Sequence, residues 1–325
     1  MIFVDVQSTD PYYNLALEEY FFNQTDEDCF LLWQNHNTIV IGKYQNAIEE
    51  ISAKFVKDND IRVVRRLSGG GAVYHDMGNY NFTFITKQTE ENSFNFEHFT
   101  KHIVDVLRKL GVKAEFNSRN DLVIEGRKFS GNSQYIKKDR ILHHGTLLFD
   151  SDLEVLVNAL NVSDAKIKSK AIKSIHERVT NIKEYLPEDF TLQQFKDALK
   201  NHITQGSPDV KEYILTEEDK QAIEKLRNEK YATWEWNYGT APKCNIEKKG
   251  KCDSGMVQAM IDVEEGKVKS IKLYGDFFVS GDLTEFEQDF TGREYREESL
   301  REPVKKLSNA IVGMDPEWLL QLLVY

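Results

Sequence analysis

The sequence predicts an α+β protein, with a mixed or antiparallel central sheet flanked by helices in a large domain, followed by a small α+β domain. Three observations carry this. Strand-like and helix-like segments do not alternate one for one, and residues 114–150 read as three short strands in a row, which argues against a doubly wound parallel sheet. At 325 residues the chain is long for one domain. Residues 231–251 are aromatic and then rich in Gly, Pro and Lys, the composition of a domain edge and linker, which places the domains at 1–245 and 246–325.

Residues 2–6 alternate as a strand. A helix follows over 8–24, where Asp10 caps, Pro11 takes the first position, and Leu15, Leu17, Tyr20 and Phe21 fall near helical spacing. Residues 30–35 and 38–44 read as strands separated by the turn-prone His36-Asn37 pair. Residues 47–60 form a short amphipathic helix, 61–67 a β-branched strand running into the loop 68–79, and 81–87 another strand. A helix over 97–112 ends at Gly111, a C-terminal cap. Beyond the three strands of 114–150 come helices over 152–162 and 190–206. In the second domain, 256–275 makes two strands joined by a turn at 264–267, and helices follow at 282–290, 296–313 and 315–325.

Composition removes several function classes. The 40% of hydrophobic residues suffices for a core, so a disordered chain is excluded. The net charge of −11 argues against a general nucleic-acid binder, which needs a basic face to displace condensed counterions. Both domains share the sign, −6 over 1–245 and −5 over 246–325. No run of about 18 apolar residues occurs, so no membrane-spanning helix is expected. The first residues lack a basic n-region and do not read as a secretory signal. Three cysteines, Cys29, Cys244 and Cys252, make no disulfide framework and fit a reducing cytosol. Cys244 and Cys252 read as ordinary thiols rather than zinc ligands.

Four runs can carry chemistry. In Arg65-Arg66-Leu67-Ser68-Gly69-Gly70-Gly71-Ala72-Val73-Tyr74-His75-Asp76, three glycines after a strand offer backbone N–H groups to anionic oxygens, and two arginines supply forked donors. Neither a Walker loop nor a dinucleotide fingerprint is present, and a plain turn between strands fits equally well. Around residues 119–131, Lys128 starts a strand beside Asn120 and Asp121. There it can meet a carboxylate and a phosphate together, and the Asn-Asp pair can hold Mg²⁺ through oxygen; the bland alternative is a solvated lysine. His143 and His144 are adjacent on a strand, so at most one faces a given pocket. Residues 160–185 carry six Lys/Arg against three Asp/Glu, a basic island that is either a mobile cover for a nucleotide or a solvated connector.

In this order and spacing the runs resemble the lipoate–protein ligases of the biotin/lipoate ligase superfamily. The resemblance begins at Pro11-Tyr12-Tyr13-Asn14-Leu15-Ala16-Leu17-Glu18-Glu19-Tyr20 and passes through Trp33, Ile41-Gly42-Lys43-Tyr44-Gln45-Asn46 and the Arg65–Asp76 run. It continues through Asn120-Asp121-Leu122, Gly126-Arg127-Lys128-Phe129-Ser130-Gly131, His143-His144-Gly145-Thr146 and Arg178-Val179-Thr180-Asn181. Beyond Trp234 the chain resembles the C-terminal accessory domain of bacterial members.

The resemblance implies two half-reactions: lipoate and MgATP give lipoyl-AMP and pyrophosphate, and the acyl group then passes to a lysine of an acceptor protein. By the same resemblance Lys128 is the essential lysine, contacting the lipoyl carboxylate and the α-phosphate. Arg66 holds phosphate or the lipoyl carbonyl. Gly71, Ala72, Val73 and Tyr74 contact the nucleotide through their backbone, and Gly70 and His144 lie beside the lipoyl group. Asp121 and Asn120 are the Mg²⁺ candidates, and Trp33 and Leu67 line the acyl slot. Residues 165–181 cover the adenylate, and 166–178 offer a basic docking surface. The implied partners are lipoyl domains of 2-oxoacid dehydrogenase complexes or the glycine cleavage H protein, in the cytoplasm, with no nucleic acid and no membrane.

Three rivals differ in what they require. A lipoyl or octanoyl transferase of the same superfamily needs a thiolate in the pocket, and no cysteine lies between Cys29 and Cys244. A biotin ligase would show a different arginine/glycine loop. A non-catalytic lipoate-binding module would be expected to have lost Lys128 or the glycines, and both are present.

Overall fold

A computed structural model of the chain describes residues 1–47, 51–117, 120–159, 177–205, 210–238 and 245–325. The N-terminal part is built on an eight-stranded mixed sheet of order β11-β1-β2-β6-β10-β9-β8-β7. Its members are β1 (Ile2–Asp5), β2 (Cys29–Trp33), β6 (Asn79–Lys87), β7 (Ala114–Phe116), β8 (Asp121–Ile124), β9 (Arg127–Lys137), β10 (Arg140–Leu148) and β11 (Lys211–Glu212). The pairs β11–β1 and β1–β2 are parallel and the others antiparallel. A second sheet, β4-β3-β5, joins β3 (Thr38–Ile41), β4 (Arg62–Arg65) and β5 (Val73–His75). Residues 114–150 therefore hold four strands, not the three expected, because the turns at Glu125-Gly126 and Lys138 are tight enough to leave little polar sequence between strands.

Helix α1 (Pro11–Gln24) starts as expected: the Asp10 carboxylate accepts from Tyr12 N at 3.1 Å and Pro11 needs no hydrogen-bond partner. Helix α2 is confined to Ala53–Asp58, and residues 48–50 of the expected longer helix lie outside the described residues. Helix α3 (Phe96–Lys109) ends as Gly111 takes a positive φ. Helix α4 (Val155–Ala159) is followed by residues 160–176, outside the described residues. Helix α5 (Leu192–Gln205) packs with α3 on one face of the large sheet, around Phe84, Phe99, Ile103, Phe149 and Phe195. The capping Gly206 expected for it lies outside the described residues.

The other face is covered by α1, which meets β6 and β10 and buries Leu15, Leu17 and Phe21. Helix α6 (Glu217–Leu226), which the sequence reading did not anticipate, packs outside α1, and Thr216 and Asp219 form its capping box. Arg227 reaches Asp10 at 2.7 Å and Lys230 reaches Glu19 at 2.6 Å. Helix α7 (Trp234–Asn237) is tied to β4 by Asn237, whose Oδ1 accepts from Arg65 N at 2.9 Å.

Residues 246–251, assigned to a linker in sequence, are instead strand β12 (Ile246–Cys252) of an antiparallel sheet with β13 (Gly255–Glu264) and β14 (Lys267–Gly275). The β13–β14 turn places Glu265 and Gly266 at positive φ, the geometry of a two-residue hairpin. Helices α8 (Leu283–Gln288), α9 (Glu297–Ala310) and α10 (Pro316–Val324) close a separate core around Val257, Phe277, Phe290, Leu307 and Leu319. This unit rests on the glycine-rich loop. Phe277 O accepts from Gly70 N at 3.3 Å, Tyr44 O accepts from Gly275 N at 2.6 Å, and Tyr44 stacks on Phe277 at 5.5 Å.

Candidate active site

Where α1 stops covering the large sheet, a cavity of about 540 Å³ opens between sheet, glycine loop and C-terminal unit. That size suits a small organic ligand. Strand register defines its floor. Trp33 on β2 lies opposite Asn81 on β6, Asn81 lies opposite Thr146 on β10, Thr146 Oγ1 accepts from Gly131 N on β9 at 3.1 Å, and Gly131 lies opposite Asp121 on β8. At one strand spacing per step, Trp33 and Gly131 stand roughly 14 Å apart, the reach of a medium-chain acid.

Lys128 sits at the β9 end. Residues 128 and 131 are an odd number apart and would point to opposite faces of a regular strand. The register between β8 and β9 shifts there: Leu122 pairs with Ser130 but Val123 with Lys128, so Phe129 is an extra residue. The bulge brings the Lys128 side chain onto Gly131, where an added Cβ would stand 3.0 Å from Nζ. Nζ pairs with Asp121 Oδ1 at 2.7 Å, and both side chains remain partly exposed. Thr180 N donates to Lys128 O at 2.8 Å, so the segment containing Arg178-Val179-Thr180-Asn181 returns against the lysine's own peptide.

The glycine loop is held from within by Arg66. Its guanidinium is buried and donates to Val40 O (3.1 Å), Gly69 O (2.7 Å), Gly71 O (2.8 Å) and Ser68 Oγ (3.1 Å). Burial pulls its pKa down to about 10, with the Glu18 carboxylate opposing. Gly70 takes a φ of +90°, which a side chain would strain. Strand β5 is the edge of its sheet, so one side of the Val73–Tyr74 backbone is free to pair with a ligand.

His144 lines the cavity; His143, one residue earlier, faces the core and stacks on Phe99 at 4.7 Å. His144 Nδ1 is 3.0 Å from Glu18 Oε1 and Nε2 is 2.6 Å from Ser68 Oγ. This arrangement resembles a hydrolase triad in its distances, but Ser68 is buried and off the cavity wall, and its oxygen already accepts from Arg66. His75 also lines the cavity, with Nδ1 receiving Asn35 Nδ2 at 3.2 Å; burial, aided by Arg66 and His144, holds its pKa down to about 3, so the ring is neutral.

Most of the residues singled out in sequence therefore meet in one place. Lys128, Arg66, Gly70, Gly71, Ala72 and Val73 line the cavity, as do His144, Asn120 and Trp33. Tyr74, Leu67 and Asp121 are not on its wall; the Tyr74 hydroxyl donates to Asn37 Oδ1, and Asp121 stands behind Lys128 through their ion pair. Asn120 spends its amide nitrogen on Asn132 O at 2.8 Å. Among the described residues no group of three or more His, Cys, Asp or Glu gathers to hold a metal. A Mg²⁺ carried on phosphates needs only one or two protein carboxylates, and Asp121 fits that requirement. Residues 118–119, 160–176 and Cys244 lie outside the described residues.

Sequence reading missed Glu18 and the part the C-terminal unit plays: Ser254, Asp276 and Phe278 also line the cavity. The signal for Glu18 was available. Asn14 and Glu18 are one turn apart and both buried on the face that α1 turns to the sheet. Cys29 is buried, its thiol pushed up to about 12 by that burial, and no cysteine lines the cavity, so a thiolate transferase has no nucleophile among the described residues.

A lysine beside a bulged strand, a glycine loop and an acyl-length groove are the parts found in enzymes that activate a carboxylic acid with a nucleotide. The chain belongs to the lipoate–protein ligase family: the lipoyl protein ligase A/B catalytic domain matches residues 10–204, and the bacterial lipoate protein ligase C-terminus matches 241–323. It is 46% identical over 300 residues to lipoate-protein ligase LplJ of Bacillus subtilis, covering 91% of each chain. To lipoate–protein ligase 1 of Staphylococcus aureus it is 47% identical over 300 residues, covering 90% of this chain and 91% of that protein. P. falciparum LipL1, solved in complex with lipoate, shares the fold over 99% of both chains with a TM-score of 0.81 at 24% identity. A lipoate-protein ligase A bound with ATP matches with a TM-score of 0.63 at 26% identity over 73% of this chain and 98% of that one. An archaeal bi-partite ligase from Thermoplasma acidophilum, described with its E2 lipoyl domain, gives 0.68 at 28% over 75% and 98%.

Proposed function

We infer that the protein is an ATP-dependent lipoate–protein ligase, which forms lipoyl-AMP and then transfers the lipoyl group to a lysine of an acceptor domain. The observation that carries this reading is the placement of Lys128 Nζ beside Gly131, at the opposite end from Trp33 of a groove of acyl length. In the first step a carboxylate oxygen bonds to the α-phosphorus and pyrophosphate leaves. Two anions must approach, which a fixed ammonium group and preorganised N–H donors favour. Lys128 then exchanges Asp121 for substrate oxygens. In the second step the neutral acceptor amine attacks the acyl carbon, AMP departs with the bonding pair, and the nitrogen loses one proton to leave the amide N–H.

Arg66 acts in this reading by shaping the loop rather than by a free fork, since its donors rest on backbone carbonyls and Ser68. The backbone of Gly71, Ala72, Val73 and Tyr74 takes the nucleotide, and Gly70 and His144 flank the acyl group. Mg²⁺ would arrive on the phosphates and neutralise their charge, with Asp121 its protein carboxylate and Asn120 Oδ1 a further oxygen. The anhydride is hydrolysable, so water must be kept from it; Thr180, bonded to Lys128 O, is the described residue of the 165–181 run nearest the site. The acceptors are lipoyl domains of 2-oxoacid dehydrogenase complexes or the glycine cleavage H protein. The enzyme works in the cytoplasm, and no helix among the described residues is long and apolar enough to cross a membrane. Residues 1–245 form the catalytic domain and 246–325 the accessory domain. Incubation with lipoate, MgATP and a lipoyl domain should add one lipoyl mass to the acceptor; an unmodified acceptor despite lipoate-dependent ATP–pyrophosphate exchange would restrict the reading to the first step.

A further inference from the structure

One buried carboxylate belongs to neither substrate site yet touches the support of both. Glu18 projects from α1 and accepts from His144 Nδ1 and from the Thr83 hydroxyl. Thr83 Oγ1 in turn accepts from Trp33 Nε1 at 2.9 Å, at the far end of the groove. On the other side the chain runs through His144 Nε2 to Ser68 Oγ and on to Arg66 Nε. Arg66 then carries Gly69 O and Gly71 O, and Ser133 Oγ donates to the same Gly69 O at 2.9 Å.

Proton positions along this chain are set by Glu18. A carboxylate only accepts, so the hydrogen of His144 stands on Nδ1. In the neutral ring Nε2 must then accept, and the Ser68 hydroxyl donates to it. That turns a Ser68 lone pair toward Arg66 Nε. With the opposite tautomer, Nε2–H would face the hydroxyl, whose hydrogen would then compete with the guanidinium. None of the four groups that accept from Arg66 is a carboxylate, and Glu18 is the anion that acts on its charge. The whole chain is buried, where a mispaired polar group is costly.

We propose that Glu18 is a positioning residue for adenylate formation: it fixes the tautomer of His144 and, through Ser68, the guanidinium of Arg66 that shapes the glycine loop. This rests on the ligase reading and adds to it a residue that contacts neither acid nor nucleotide.

The test is Glu18→Gln in the full chain, assayed by lipoate-dependent ATP–pyrophosphate exchange. The expected kcat falls about 10- to 100-fold, the scale seen when an outer partner that orients a ligand is lost, while KM for lipoate moves less than about threefold. A downfield imidazole N–H proton resonance, present in the wild type, should move upfield or be lost in Glu18→Gln, where a neutral amide replaces the carboxylate, and persist unshifted in Ser68→Ala. Ser68→Ala cuts the chain further along and removes no buried charge. It should lower kcat as well, and the double variant should be no worse than the poorer single one. Exchange within twofold of wild type in Glu18→Gln, or a raised KM with unchanged kcat, overturns the proposal. If Glu18→Gln fails to fold, wild-type exchange in Ser68→Ala overturns it alone. A wild-type chain without exchange removes the ligase reading itself.

Discussion

The sheet side and the C-terminal side of the cavity are built differently. On the sheet side, polar groups are buried in linked chains: Glu18, His144, Ser68 and Arg66 form one, and Asn14, Asn35 and His75 another. The C-terminal unit has an apolar interior around Phe277, Phe290 and Leu307, and its buried polar residues are few. Gln258, Glu287 and Ser308 each bond within the unit. Only its rim reaches the cavity, along residues 253–255, at Asp276 and Phe278, and at Val312 and Gly313. A buried polar group is destabilising unless satisfied, so its concentration on one wall marks where geometry is held for chemistry. The other wall closes the space.

The sharpest test of this division is Lys128→Ala. Pyrophosphate exchange should fall roughly 10³-fold or more, with stability changed by less than about 1 kcal/mol because the Asp121 pair is partly exposed. Full exchange in this variant would break the assignment of chemistry to the sheet wall. Leu307→Ala should do the reverse, costing about 2–5 kcal/mol in urea unfolding while leaving exchange below its melting point within about threefold. Parallel loss of exchange would show that the covering wall also sets reaction geometry.

Gly42→Ala probes the seam between the walls. Its Cβ would lie 2.0 Å from Gly70 O, so the glycine loop must move, at a cost of about 1–3 kcal/mol and with reduced exchange. Acid sensitivity should arise on the sheet side. His75 stays neutral in the fold down to about 3, whereas the unfolded ring takes a proton near its ordinary value of 6.5. The unfolded state then binds more protons, so stability falls as pH drops from about 6.5 toward 3, by about 1.4 kcal/mol per pH unit. His143, also lowered by burial, adds to the slope. A urea midpoint unchanged between pH 7.5 and 5 would contradict the neutral buried rings. The smallest effect belongs to Asp282→Asn: asparagine keeps the α8 cap and loses only the 3.8 Å ion pair with Lys43, so unfolding should shift by less than about 1 kcal/mol.

Features set by neighbouring residues were legible in sequence. Asp10 and Asp315 cap their helices, Gly111 ends α3, the 264–267 turn closes a hairpin, and the glycine run makes a loop. Features set by distant pairing were not. The Phe129 bulge that aims Lys128 depends on how β8 and β9 align, and no local signal announces an extra residue. Asn14 and Glu18 one turn apart hint at a buried polar pair on α1, but the partner of Glu18 is not local: β10 brings His144 against it from 126 positions away. Residues 246–251 look like a polar linker because alternate positions of β12 face solvent, and only the pairing with β13 identifies a strand. The C-terminal rim reaches the cavity by docking of one unit on another, which periodicity within either cannot disclose.

The hydrogen bond from Thr180 N to Lys128 O has a mechanical consequence. A tug on the returning segment is felt at Lys128 across a single peptide unit. Any displacement of residues 179–180 thus reaches Lys128 without passing through the rest of the sheet.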